Sequence, residues 1–458
     1  MRDLRSLFLV AGIIALAGCG SLNSSSPNPQ SGAASINVSM QDMPPTGVDI
    51  LSFQATVTGI SLQPGNVPLM TVQTRMELTQ LQTMAAYMGT ISVPAGTYTG
   101  MTIALANPQM TYLNDSGGMM MGGSCAIGQI CQMTPTMMAS SVTINGAPFP
   151  LTVQKDTPLD MLIDFDLMNS MQSNMNVNPT MSSMMRQPMT GSSAFGEMDD
   201  MIGQIQSVGS SNQLTMQFAQ GMPSMSIATD SSTVFENFDS IGKSNNFTGL
   251  AAGQIVEADL QLMAAGVLHA TRVQLESATA QELDGIIVAI NNSTQFDMVV
   301  MNEGLSVPGI GIGDVVRTNI QAGAMFDVDD QNLPISGMSF GSAADLAVGQ
   351  MVRVEPMTAV VSGTPPQVGT NHVRLVNAFL TATVASKINA TDFMANGLPA
   401  IFTSSGLSNM RVSTSSQTDF DGVSGMSGLT GGDTVSLRGP MFMQSGNLVM
   451  IASHIRKR

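Results

Sequence analysis

The sequence predicts an almost all-β protein, and three observations carry the prediction. Apolar residues alternate with polar ones at period two, the signature of half-buried strands, as in Ile36, Val38 and Met40, Phe53, Ala55 and Val57, Met101, Ile103 and Leu105, and Ile286, Val288 and Ile290. The pattern Leu-x-x-Gly-x-x-Val returns three times in the second half of the chain. Helical spacing is confined to one short stretch, Leu78, Leu81, Met84 or Ala85, and Met88, with Gly89 where a C-cap glycine belongs.

The three copies are Leu250, Gly253 and Val256, then Leu346, Gly349 and Val352, then Leu429, Gly432 and Val435. Upstream of each stands an aromatic followed by an acid: Phe235-Glu236, Phe326-Asp327 and Phe420-Asp421. Downstream a basic residue precedes an apolar one: Arg272-Val273, His372-Val373 and His454-Ile455. The glycine fits a tight turn into the next strand. Five or six strands in each unit, 199–279, 280–378 and 379–458, suit a small closed barrel of the oligonucleotide/oligosaccharide-binding kind. These units resemble an uncharacterised family of small β-barrel domains found in tandem in bacterial exported proteins. The resemblance spans about 199–458, rests on apolar and glycine positions, and implies no activity.

In the first half, residues 36–168, three elements carry a second resemblance: Asp42-Met43-Pro44, the turn Pro94-Ala95-Gly96-Thr97-Tyr98, and the strand Leu159 to Leu167. Together they resemble a lipoprotein domain family of unknown function, which implies a β-sandwich. Residues 169–198, rich in Ser, Asn, Met, Pro and Gln without periodicity, read as a linker.

The N-terminus gives an address. Arg2 and Arg5 precede an apolar run from Leu7 to Ala17, too short for a membrane span, which needs about 20 apolar residues. Leu16-Ala17-Gly18-Cys19 resembles a lipobox, which implies removal of a signal peptide 1–18 and lipidation of Cys19. Acyl chains at that sulfur would moor the protein to the cell envelope through a flexible tether, 19–35. Gly20 is not the aspartate that retains enteric lipoproteins at the inner membrane, so the outer membrane is the expected location.

With Cys19 lipidated, Cys125 and Cys131 remain as a pair in an oxidising compartment and are expected to form a disulfide. Only 10% of residues are charged, 32 acidic against 16 basic, a surface that repels phosphate backbones and argues against nucleic-acid partners. Arg456-Lys457-Arg458 reads as a solvated tail.

Candidate chemistry is sparse. No His-Glu-x-x-His helix or phosphate-binding glycine loop occurs, and the three histidines, His269, His372 and His454, lie at or near one repeat slot. Strand alternation puts Asp160, Asp164 and Asp166 on one face, opposite Met161, Ile163, Phe165 and Leu167, where the carboxylates could hold calcium or simply face solvent. Asp327, Asp329 and Asp330 look calcium-like too, but Asn332 and Met338 stand where an EF-hand loop needs glycine and glutamate. Methionine is frequent, 41 residues, with clusters at Met119-Met120-Met121 and Met181, Met184 and Met185. Thioethers suit Cu(I) or the scavenging of oxidants, and equally suit flexible core filling. There is no Trp, and Tyr87, Tyr98 and Tyr112 are the only tyrosines, a poor supply of sugar platforms. The expected role is a non-enzymatic, lipid-anchored scaffold or binding module for a polymer or protein partner, without a cofactor. The rival is a hydrolase using Asp160, Asp164 or Asp166 as acid and base.

Overall fold

The computed structural model describes residues 32–458 apart from 43–49, 116–124, 173–174, 187–193, 219–223, 264–266, 277–280, 304–306 and 332. The signal segment, Cys19, most of the tether, Met43-Pro44, Met119 to Met121 and Asn332 lie outside the described residues. Among the described residues, no helix is long and apolar enough to cross a membrane.

The N-terminal domain is a sandwich of two main sheets. One has the order Met181–Met185, Leu159–Phe165, Ala33–Asp42, Ala86–Pro94; the other pairs Ile50–Gln63 with Gly100–Leu113 and adds short strands at its margins. The alternating residues meet between them. Ile36, Val38, Met40, Met161, Ile163 and Phe165 from the first sheet pack on Phe53, Ala55, Val57, Met101, Ile103 and Leu105 from the second. The Phe53 and Phe165 rings stack at 6.1 Å.

Three sequence expectations are corrected here. The stretch expected to be a helix is a 3-10 turn, Leu78–Gln82, started by Glu77, whose carboxylate accepts from the Thr79 amide. The chain then turns straight into the strand Ala86–Pro94, and Gly89 lies within that strand instead of capping a helix. The start of the expected linker belongs to the sandwich: Asp166 caps a helical turn, Leu167–Ser170, and Met181–Met185 pairs antiparallel with Leu159–Phe165. The expected tether ends sooner, because Ala33, Ala34 and Ser35 already pair with Pro94, Val93 and Ser92.

Each repeat is a small barrel. In the first, Ala194–Val208, Gln213–Phe218, Met225–Ala228, Leu268–Leu275 and Ile255–Met263 close a five-strand circuit, with Val234–Glu236 added beside Leu268–Leu275. The second closes through Leu283–Asn292, Gln295–Glu303, Val315–Val328, Gln367–Leu375 and Met351–Pro356. The third repeats these pairings with two strands interrupted: Thr434–Gly439 resumes as Met441–Gln444, and Asn447–Ile451 resumes as His454–Lys457.

The repeat markers are the parts that build the barrel. Gly253, Gly349 and Gly432 have φ of 90°, 91° and 92°, a left-handed conformation that glycine adopts without a Cβ penalty. Their amides donate to Ile205, Ile287 and Val384 of the first strand, each at 2.8 Å. The following Val256, Val352 and Val435 are fully buried. Phe235, Phe326 and Phe420 pair in parallel with Val273, Val373 and Ile455, which explains why the aromatic-acid and basic-apolar markers travel together.

The four domains share their packing. Leu51 and Leu113 of the sandwich, Met301 and Met351 of the second barrel, and Leu380 and Phe402 of the third belong to one buried cluster, while Tyr87 of the sandwich enters the core of the first barrel.

Candidate functional site

The structure does not leave the three aspartates of the sandwich on a solvated face. Asp160 and Asp164 are buried, because the sheet face opposite the sandwich core is itself covered, by Arg186 over Asp160 and by the C-terminal arginines that reach Gln41 and Asp42 of the neighbouring strand. Burial raises the Asp160 carboxyl, opposed by Arg186, which bonds it at 2.6 Å. Burial likewise raises Asp164, opposed chiefly by Arg458. Asp166 serves as the cap of the helical turn. These carboxylates therefore have three separate tasks. Among the described residues, no group of three or more His, Cys, Asp or Glu side chains is arranged to hold a metal ion. In the second candidate loop, Asp327 is paired with His372 and Arg374, both at 3.0 Å, and Asp329 lies 3.9 Å from Arg272.

The expected basic tail is a clasp. His454–Lys457 is a strand of the third barrel, and the arginines around it reach the sandwich. Arg458 donates to the carbonyls of Asp42 and Gln82 at 2.8 and 2.6 Å; Arg456 donates to Gln41 Oε1 and to the carbonyls of Gln82 and Thr83. Cys125 and Cys131 form the expected disulfide.

Sequence reasoning missed a buried ion network between the first two barrels. Glu257, with no exposed surface, bridges Arg353 at 2.6 Å and Arg272 at 2.7 Å. Arg353 also grips Asp284 through two bonds of 2.8 and 3.0 Å, and Arg272 bonds Asp259 at 2.9 Å. Burial alone would raise Glu257, but the two guanidinium groups outweigh it and hold the carboxyl below its usual value. Glu282 has a weaker partner, Arg353 at 3.6 Å, and burial pushes it up to about 8. A clue was present in Val352-Arg353-Val354, a charge inside an apolar strand of a chain with few charges.

Also missed was a groove of about 1150 Å³ between the disulfide-closed segment of the sandwich and the outer face of the second barrel. One wall is Ile127, Gln129, Ile130 and Gln132; the other is Val288, Asp297, Val315 and Arg317, with Pro308 and Pro365-Pro366 beyond. Gln132 bonds the Gly313 carbonyl at 2.7 Å and Asp314 at 2.9 Å, tying the walls together. Arg317 and Asp297 form a two-bond pair of 2.8 and 2.9 Å within the groove. Ile127 is 66% exposed at its edge. No described residue lining the groove is aromatic.

A β-sandwich followed by tandem five-strand barrels is the class that this fold defines. Residues 33–182 match the family model described as a domain of unknown function, DUF4382, and residues 202–274 match a second, DUF5666. The first match ends inside Met181–Met185, in keeping with that strand's place in the sandwich. No curated protein matches the chain.

Proposed function

We propose that the protein is a lipid-anchored, non-enzymatic binding module of the bacterial envelope, and that the groove between sandwich and second barrel holds a segment of a protein partner. The observation that carries this reading is the groove itself: a broad concavity bordered by exposed Ile127, with walls fixed by the disulfide and by Gln132. Its mixture of apolar, amide and charged groups suits a polypeptide, while the absence of aromatic rings among its described residues is a poor match to a sugar chain. A non-enzymatic role is favoured because, of the carboxylates considered for catalysis, Asp160 is paired with Arg186, Asp166 caps a helical turn and Asp164 is buried. The anchor rests on the lipobox-like Leu16 to Cys19.

A photo-crosslinking residue placed at Ile127 in intact cells should capture a defined protein band that Arg317→Ala abolishes and that the same residue at Ile388, exposed on the third barrel, does not give. Equal capture at both positions would defeat the groove assignment. Labelled palmitate should enter the protein and be lost in Cys19→Ala; an unlabelled mature protein would defeat the anchor.

A further inference from the structure

A second cavity, of about 170 Å³, lies where all four domains meet. Six methionines line it: Met76 and Met84 from the sandwich, Met198 and Met201 from the first barrel, and Met301 and Met351 from the second. Val376, at the end of the second barrel, and Phe379 of the third close the circle, and exposed Arg75 marks the mouth. Ligand sites favour such domain junctions.

The polar side chains in the lining identify the ligand class, because, Asn377 Oδ1 apart, their bonding is internal. Glu77 accepts from Ser52, Thr79 and the Phe53 amide; Arg353 grips Asp284; Gln80 donates to the Met301 carbonyl. Arg75 bonds Gln54, Asn377 donates through Nδ2 to Gln331, and Asn302 and Arg438 are also engaged; the buried Asn377 Oδ1 is left as an acceptor, which a hydroxyl can serve and a carboxylate cannot. A charged ligand would have to break these pairs to gain a partner, and losing one member of a buried hydrogen-bonded pair is costly. A neutral apolar ligand asks nothing of them. The volume fits, since an apolar cavity of about 150 Å³ takes up a benzene-sized molecule. Unbranched thioether side chains, with three rotatable bonds each, can adjust to a chain of variable length.

We propose that this junction is a binding site for the alkyl chain of a neutral amphiphile, its polar end directed to the mouth beside Arg75. The site is separate from the groove, and neither proposal depends on the other.

The test is fluorescence of N-phenyl-1-naphthylamine with the intact protein and its displacement by 1-decanol or by decanoate. The expected result is saturable binding of one probe per chain, with 1-decanol displacing it at a concentration at least tenfold lower than decanoate does. Met84→Trp, which puts a bulky ring into the cavity, should weaken probe binding at least tenfold, whereas Met325→Trp, on an exposed position, should leave it unchanged. Because the chain has no native Trp, the indole introduced at position 84 also reports its own burial. Should Met84→Trp fail to fold, Ala85→Leu fills the same space by a smaller amount and should weaken binding in the same direction. Absence of saturable binding, equal or better displacement by decanoate, or undiminished binding in the folded cavity variant would overturn the proposal.

Discussion

The two seams between successive barrels join nearly the same fold by opposite chemistry. Between the first and second barrels lies the ion network, with Glu257 held by Arg272 and Arg353. Between the second and third, Phe442, Val449 and Ile451 enter the second barrel's core, and Phe402 packs so tightly over Gly349 that a Cβ there would sit 2.0 Å from its ring. The one polar tie noted at this seam is Gln350, which donates to the Met441 carbonyl at 2.9 Å. A repeat thus fixes the barrel and leaves its outer faces free to diverge: the ionic seam demands particular partners, and the apolar seam demands shape.

The largest effect should come from the ionic seam. Glu257→Ala leaves two buried guanidinium groups without their shared carboxylate, and breaking a buried pair costs about 3–5 kcal/mol. Urea unfolding should show this loss, and Gln350→Ala at the other seam should cost only about 1–3 kcal/mol, the value of an unmade buried hydrogen bond. Equal losses would erase the contrast.

The apolar seam can be probed through the glycine that the repeats share. Gly253→Ala meets open space, so only the left-handed backbone opposes it, at about 1–2 kcal/mol. Gly349→Ala carries the same backbone cost plus the collision with Phe402, a further 1–3 kcal/mol or so by the usual cost of overpacking. Thermal melts should show the difference, and shortening the neighbour with Phe402→Ala should abolish it. Persistence of the difference in the Phe402→Ala background would place its origin elsewhere than in this contact.

Smaller again is the loss expected from the disulfide. Cys125→Ser with Cys131→Ser releases a link across six residues, worth about 2 kcal/mol by loop entropy. Its loss should loosen the sandwich wall of the groove while leaving both barrel seams intact. Hydrogen exchange should rise around Gln129 to Met133 and stay unchanged at Val352 to Val354.

The contrast also shows what the sequence could and could not reveal. Period-two alternation identified the strands of the sandwich core, and Leu-x-x-Gly-x-x-Val marked a turn whose three copies agree within 2° in φ. Such signals are local. Residues 78–88 looked helical because a 3-10 turn and the start of a strand happen to place apolar residues three and four apart. Asp160 and Asp164 looked solvated because alternation assumes one wet face, whereas here Arg186 and the C-terminal arginines cover that face as well. Arg456 and Arg458 looked like a tail because their acceptors lie in the sandwich, hundreds of positions away. The groove and the methionine-lined junction were illegible for the same reason: each is assembled from elements distant along the chain.

The mildest prediction returns to one repeat slot filled in two ways. Arg272 in the first barrel keeps its charge throughout the ordinary pH range, its guanidinium favoured by Asp259 and Glu257 against the penalty of burial. His372 in the second lies between Asp327 at 3.0 Å and Glu355 at 2.9 Å, with Arg374 nearby. Hydrogen bonds to those carboxylates push the imidazole up to about 9 from an ordinary 6.5. A raised histidine pKa means that folding favours the charged ring, so the stabilisation is complete below pH 6.5 and is lost as pH rises through about 9. Both carboxylates are roughly two-fifths exposed, and solvent screening should hold the effect to about 1 kcal/mol or less. His372→Gln should therefore melt below the wild type at pH 6 and close to it at pH 10, while His372→Arg should flatten the dependence and make the second barrel behave like the first. A deficit in His372→Gln that is the same at both pH values would mean that the ring contributes by packing, and that the two slots differ in shape instead of charge.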